Sequence, residues 1–255
     1  MAYTSTPSYS SSAAVSQTGA SSSPASVSPL ARTYPIAQGT ADFATGVVGS
    51  SNRSSLVQMH FQGLDPNIPA NPGGCKGGTA LWLASLARSI SNPDAASRHF
   101  GTILNNDPDQ IMGWQDRITQ IAMGITDPRN SQRQRDDATA QMAAASTANS
   151  LTHAGTRVIG FQQGSLQDFV SNIVNNVNSA GLYYVDAGGS GGAHRIGIMV
   201  NPNNAIPIRL HDMNVGEYAI MDRQELARVL GRISEGCSYH DSYNTLAINK
   251  FRLPA

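Results

Sequence analysis

Cys75 stands in the stretch NPGGCKGGTALWLASLARS, where a glycine-rich loop runs into an amphipathic segment. Leu81, Leu83, Ala84, Leu86 and Ala87 recur at helical spacing, which predicts a helix with Cys75 near its first turn. First-turn N–H groups and the helix dipole both stabilise a thiolate, so this setting suits a nucleophile. The same residue would also serve as a small apolar side chain packed on a sheet, the common fate of a free cysteine. Gly73, Gly74, Gly77 and Gly78 leave the thiol unshielded and leave amide N–H groups available to a developing oxyanion. Asn71 is a candidate side-chain donor to that oxyanion, and equally a turn residue before Pro72.

A base for such a thiol is found in a predicted hairpin. His194, Ile196, Ile198 and Val200 form one face of an alternating run, with Arg195, Gly197 and Met199 on the other. After the turn residues Asn201-Pro202-Asn203-Asn204, the alternation resumes with Ile206, Ile208 and Leu210, which puts Asp212 on the isoleucine side and His211 with Arg209 on the other. With the loop centred near Asn203, His194 and Asp212 lie roughly opposite each other, where cross-strand Cβ atoms are about 5 Å apart. Burying either group unpaired costs free energy, so the two pair. The pair is either a structural ion pair or the base and orienting carboxylate of a nucleophilic triad. Cys75 precedes His194 by roughly 120 residues, the order and separation of papain-like enzymes.

Three blocks carry a family resemblance: the Cys75 segment with Trp82 two turns on, AHRIGIMV from Ala193, and IRLHDMNVGEY from Ile208. Together they resemble the YopT/AvrPphB family of bacterial type III effector cysteine proteases. Asp212-Met213-Asn214-Val215-Gly216-Glu217 is similar to that family's Asp-Pro-Asn-x-Gly-Glu segment, with methionine in place of proline. The resemblance implies a papain-like fold and a Cys/His/Asp triad at Cys75, His194 and Asp212, with Asn71 as the upstream amide. It implies a thiol protease exported through a type III system into a host cell, cleaving host proteins and possessing no cofactor. Acyl transfer or glutamine deamidation would use the same triad, and a non-catalytic host-binding effector would keep only the fold. Several members of the family cut themselves and expose a glycine for acylation. Gly46, with Ser50 four residues on, partly fits a myristoylation site, and the host plasma membrane would be a partner only after such processing.

Composition supports one catalytic domain behind a leader. The first fifty residues are dominated by Ser, Ala, Thr, Pro and Gly, carry almost no charge and show no periodicity, so residues 1–55 are expected to form a disordered secretion leader and 56–255 the catalytic domain. Seventeen Lys and Arg balance seventeen Asp and Glu, which argues against nucleic acid as a partner. Cys75 and Cys237 make no disulfide framework, and no His, Cys or carboxylate spacing reads as a metal site. A monomer acting on host protein is expected.

The remaining pattern predicts helices over 93–100, 109–123, 131–153, 165–177 and 222–233, and strands over 157–161, 182–185 and 246–253. The loop GGSGG at 188–192 is expected to form a flexible cleft rim. This is an α+β layout, with a helical N-terminal part whose nucleophile helix packs on an antiparallel sheet.

Overall fold

A computed structural model describes residues 38–49, 51–59, 75–107, 109–116, 151–189 and 192–254. Its centre is a seven-stranded antiparallel sheet in the order β1-β6-β5-β4-β3-β7-β2. The strands are β1 (Ser54–Met59), β2 (Thr152–Gly160), β3 (Gly181–Gly189), β4 (Gly192–Val200), β5 (Ile208–Asp212), β6 (Gly216–Ile220) and β7 (Thr245–Arg252). Helices α1 (Gln38–Val48), α2 (Cys75–Arg88), α3 (Pro93–Asn106), α4 (Leu166–Asn176), α5 (Arg223–Cys237) and the short α6 (Tyr239–Ser242) cover it. Residues 109–116 are also helical.

Alternation along the strands divides the core in two. Tyr183, Ile196, Ile198, Leu210 and Tyr218 pack with residues of α1, α4 and α5 on one face. Leu182, Tyr184, Met199 and Phe251 pack with Trp82, Leu83, Leu86 and Phe100 on the other. Helix α2, which starts at Cys75, therefore lies on the sheet as its composition implies. Gly197 makes the close approach possible, because a Cβ there would sit 2.7 Å from two carbons of the Trp82 ring. Trp82 then stacks on His211 at 4.9 Å between centroids, with Phe100 edge-on to the same imidazole at 5.1 Å. His211 is thus a core residue on the α2 side, away from the isoleucine face.

Local signals in the sequence map onto several element ends. Ser165 caps α4 by accepting the Asp168 amide at 3.2 Å, and Asp222 caps α5 by accepting that of Glu225 at 3.0 Å. The expected helix over 131–153 falls mostly outside the described residues, but its end is corrected: Thr152, His153 and Gly155 belong to β2, paired with β7. Of the GGSGG loop, Gly188 and Gly189 continue β3 and Gly192 opens β4, so the strands run into the expected rim.

The leader boundary is also corrected. Gln38–Val48, placed by composition in an unfolded segment, is helix α1, and Ser54 and Ser55 belong to β1. Phe43, Ala44 and Val47 recur at helical spacing and pack on the α5 face, with Ala44 and Val47 buried. Arg228 donates to the carbonyls of Val47 and Val48 at 3.0 and 3.1 Å, and Arg232 to that of Gly46 at 2.5 Å. These arginines satisfy the carbonyls that a helix end leaves unpaired. Tertiary packing stabilises α1 where intrinsic propensity is weak, which is why composition misreads it. Gly46, the proposed new N-terminus, lies inside this helix. A chain starting at Gly46 loses the Phe43 and Ala44 contacts, roughly 3 kcal/mol of apolar burial. Differential scanning calorimetry is expected to show it melting roughly 6–12 °C below a chain starting at Gln38.

Candidate active site

Cys75 is the first residue of α2 and is 5% exposed. The helix start is held from a distant part of the chain. Gln115 accepts the amide hydrogens of Lys76 and Gly77 on its side-chain oxygen at 2.9 and 3.0 Å. The missing side chains at Gly77 and Gly78 are structural, since a Cβ on the first would overlap the Ile111 carbonyl and one on the second the Met213 sulfur. Met213, where the resembled family has proline, thus packs against the nucleophile helix. Asn71, the expected oxyanion donor, lies outside the described residues.

His194 and Asp212 share a face, as the alternation requires, but they are not directly opposite. Asp212 pairs with Ile196 and Ile208 with Val200, so the connection centres on Asn204. A shift of two residues in the pairing preserves the face and makes His194 and Asp212 diagonal neighbours. His194 Nε2 lies 3.1 Å from each Asp212 carboxylate oxygen, and both side chains are buried. Asp212 also accepts the Asn214 backbone amide at 2.8 Å.

The imidazole also acts on the Cys75 thiol, by hydrogen bonding and by charge, to lower its pKa. With Nε2 engaged by the carboxylate, Nδ1 is the nitrogen left for the thiol. Burial alone would raise the Cys75 pKa, but the hydrogen bond and charge of His194, together with the Arg195 cation, outweigh it and hold the thiol below its usual range. Burial likewise opposes a charged His194, yet the Asp212 carboxylate and the bond to Cys75 prevail and raise the imidazole to about 10. Both shifts favour the thiolate–imidazolium pair over the neutral pair. Arg195, ion-paired with Asp186 at 2.7 Å, supplies the further cation. Lys76, the cationic neighbour visible in the sequence, is itself pulled down by half-burial and by Arg195.

Two residues of this environment were not legible in the sequence. Gln115 is distant in the chain and isolated in type. Tyr239 follows Ser238, which takes the left-handed conformation (φ 54°) and turns the chain from α5 into α6. Cys237 is half-buried with its thiol pushed up to about 12, mainly by burial. The two thiols should therefore react very differently. Limiting iodoacetamide at pH 7 is expected to alkylate Cys75 at least about 100-fold faster than Cys237, because the thiolate is the reacting form. Peptide mass spectrometry reads the ratio.

No family model matches the sequence, and no curated protein matches it significantly. Among solved structures, the chain is similar to the Pseudomonas avirulence protein AvrPphB, with a TM-score of 0.52 at 11% identity. The match covers 83% of this chain and 98% of that one. At this identity the likeness is one of fold. The mixed architecture, with helices packed on an antiparallel sheet, is a papain-like cysteine protease fold.

Proposed function

We propose that the protein is a papain-like cysteine endopeptidase, delivered through a type III secretion system into host cells, where it cleaves host proteins. The observation that carries the enzymatic part is the buried His194–Asp212 pair, with Nε2 3.1 Å from both carboxylate oxygens, beside the Cys75 thiol whose pKa it lowers at the start of α2. Delivery rests on the fold likeness to AvrPphB and on the serine-rich N-terminal composition.

In this mechanism the Cys75 thiolate attacks the scissile carbonyl, and the carbonyl carbon becomes tetrahedral. The negative charge that develops on its oxygen is placed beside the Cys75 amide at the helix start. Gln115 already takes the Lys76 and Gly77 amides, so the Cys75 N–H is the first-turn donor assigned to the oxyanion, with Asn71 as the side-chain donor. The His194 imidazolium gives a proton to the leaving amine as the C–N bond breaks, leaving a thioester on Cys75. Neutral His194 then takes a proton from water as its oxygen attacks the thioester carbon; the C–S bond breaks, releasing the acid and restoring the Cys75 thiolate beside the His194 imidazolium. Asp212 stabilises the imidazolium and holds its ring.

The test is to incubate host-cell extract with the wild type and with Cys75→Ala and to map new peptide termini by mass spectrometry. Cys75-dependent backbone cleavage supports the proposal. Cys75-dependent modification of side chains without new termini reassigns the triad to acyl transfer or deamidation, and no covalent change leaves a binding effector. Sequencing the N-termini of both preparations tests self-processing. Because Gly46 is clamped within α1, a Cys75-dependent cut is expected upstream of Gln38, where it leaves the helix whole.

A further inference from the structure

We infer that Tyr239 is a positioning residue of this site: its hydroxyl fixes the proton of His194 on Nε2, so that Nδ1 is presented to Cys75. The inference rests on the reading of Cys75 as the nucleophile. The phenol is 3% exposed, and its ring stacks on the imidazole at 4.6 Å between centroids and 28° between planes. Its oxygen lies 2.9 Å from His194 Nε2 and 3.1 Å from each Asp212 carboxylate oxygen, and accepts the Asn214 side-chain amide at 2.8 Å.

Counting donors and acceptors leaves one consistent arrangement. A phenol has one proton to give and two lone pairs to receive with. The Asp212 carboxylate accepts the phenolic proton. Asn214 donates to one lone pair, and the Nε2 hydrogen of His194 is shared between the other lone pair and the carboxylate. Nothing at Nε2 then favours an unprotonated nitrogen. The stacked ring also prevents the imidazole from rotating out of the plane that reaches both Asp212 and Cys75. Asn214 therefore orients Asp212 through its backbone and Tyr239 through its side chain, from a single position in the β5–β6 turn.

The titratable groups around the pair come from every neighbouring element. Cys75 and Asp212 act on His194 directly, and Asp186 of β3 with Arg195 of β4 lies alongside. Cys237 of α5 faces the phenol, and the Tyr243 ring lies 5.8 Å from that of Tyr239. Of these, Asp212 shares Nε2 with the phenolic oxygen, at 3.1 Å from each carboxylate oxygen.

The experiment is the pH profile of iodoacetamide alkylation at Cys75, read on the Cys75 peptide, in wild type and Tyr239→Phe. It needs no substrate. The wild-type inflection is expected below the ordinary thiol value of 9.0. Tyr239→Phe keeps the ring and is expected to raise the inflection by about one pH unit, roughly a tenfold loss of alkylation rate below it, at a temperature where melting shows the variant still folded. If that variant is destabilised, Asn214→Ala, which removes the donor to the phenol, is expected to shift the profile the same way. A low wild-type inflection that neither variant moves overturns this inference alone. A wild-type inflection at the ordinary thiol value overturns the nucleophile reading and this inference with it.

Discussion

Replacing Cys75 or His194 by alanine is expected to lower peptide-bond cleavage by at least about 10⁴-fold, because in the proposed mechanism each takes part in bond making or proton transfer. Asp212→Asn is expected to retain activity roughly 10²-fold above Cys75→Ala, since the orienting residue touches neither the carbonyl nor the moving proton. The variants should differ in stability. Cys75→Ala removes only a sulfur at the end of a helix and is expected to melt within a few degrees of wild type. His194→Ala leaves the Asp212 carboxylate, 0% exposed, without its ionic partner. The Asn214 amide and the Tyr239 hydroxyl still hold that carboxylate, so the cost is expected to be about 3 kcal/mol, at the low end for breaking a buried pair. Cleavage rates measured beside thermal melts separate the chemical loss from the structural one.

Gly77→Ala is expected to cost about 3 kcal/mol and to lower the melting temperature by roughly 6–12 °C. A methyl there would overlap the Ile111 carbonyl and lie 2.8 Å from the Gln115 backbone nitrogen. Backbone cannot give way as a flexible side chain can, so the helical stretch at 109–116 must move and take the Gln115 cap with it. The same displacement uncaps Lys76 and Gly77 and disturbs the setting of Cys75, so alkylation of that thiol should slow together with the loss of stability. Gly78→Ala meets the end of a methionine side chain instead and is expected to cost less. Comparing the two variants by calorimetry and alkylation tests whether the backbone contact or the mere loss of glycine is responsible.

Stability linked to Cys75 and His194 has a definite sign. The thiol is depressed on folding, so its contribution is present above the ordinary value of 9.0 and is lost as pH falls through the lowered folded value. The imidazole is raised, so its contribution is full below 6.5 and is lost as pH rises through about 10. The thiolate–imidazolium pair occupies the window between the lowered thiol and the raised imidazole, and the proposed activity is expected in that window.

The amino-acid sequence by itself determined the identities of the thiol, imidazole and carboxylate, the helix under the thiol, and the shared face of His194 and Asp212. Those readings depend on the helical repeat and on the pleat of a strand, which are local properties of the chain. His211 was separable from Asp212 for the same reason, since one step along a strand reverses the face. Tertiary structure decided what depends on partners distant in the chain. The pairing of Asp212 with Ile196 follows from how the 201–207 turn closes, and alternation alone cannot set it. Helix α1 forms because α5 supplies an apolar face and two arginines, neither of which composition around residue 40 reveals. Gln115 and Tyr239 reach the site from elements with no motif of their own, because a buried hydrogen bond demands only a donor and an acceptor at the right distance. That distance is a property of the packed layers, which bring residues 75, 115, 194, 212 and 239 within reach of one another.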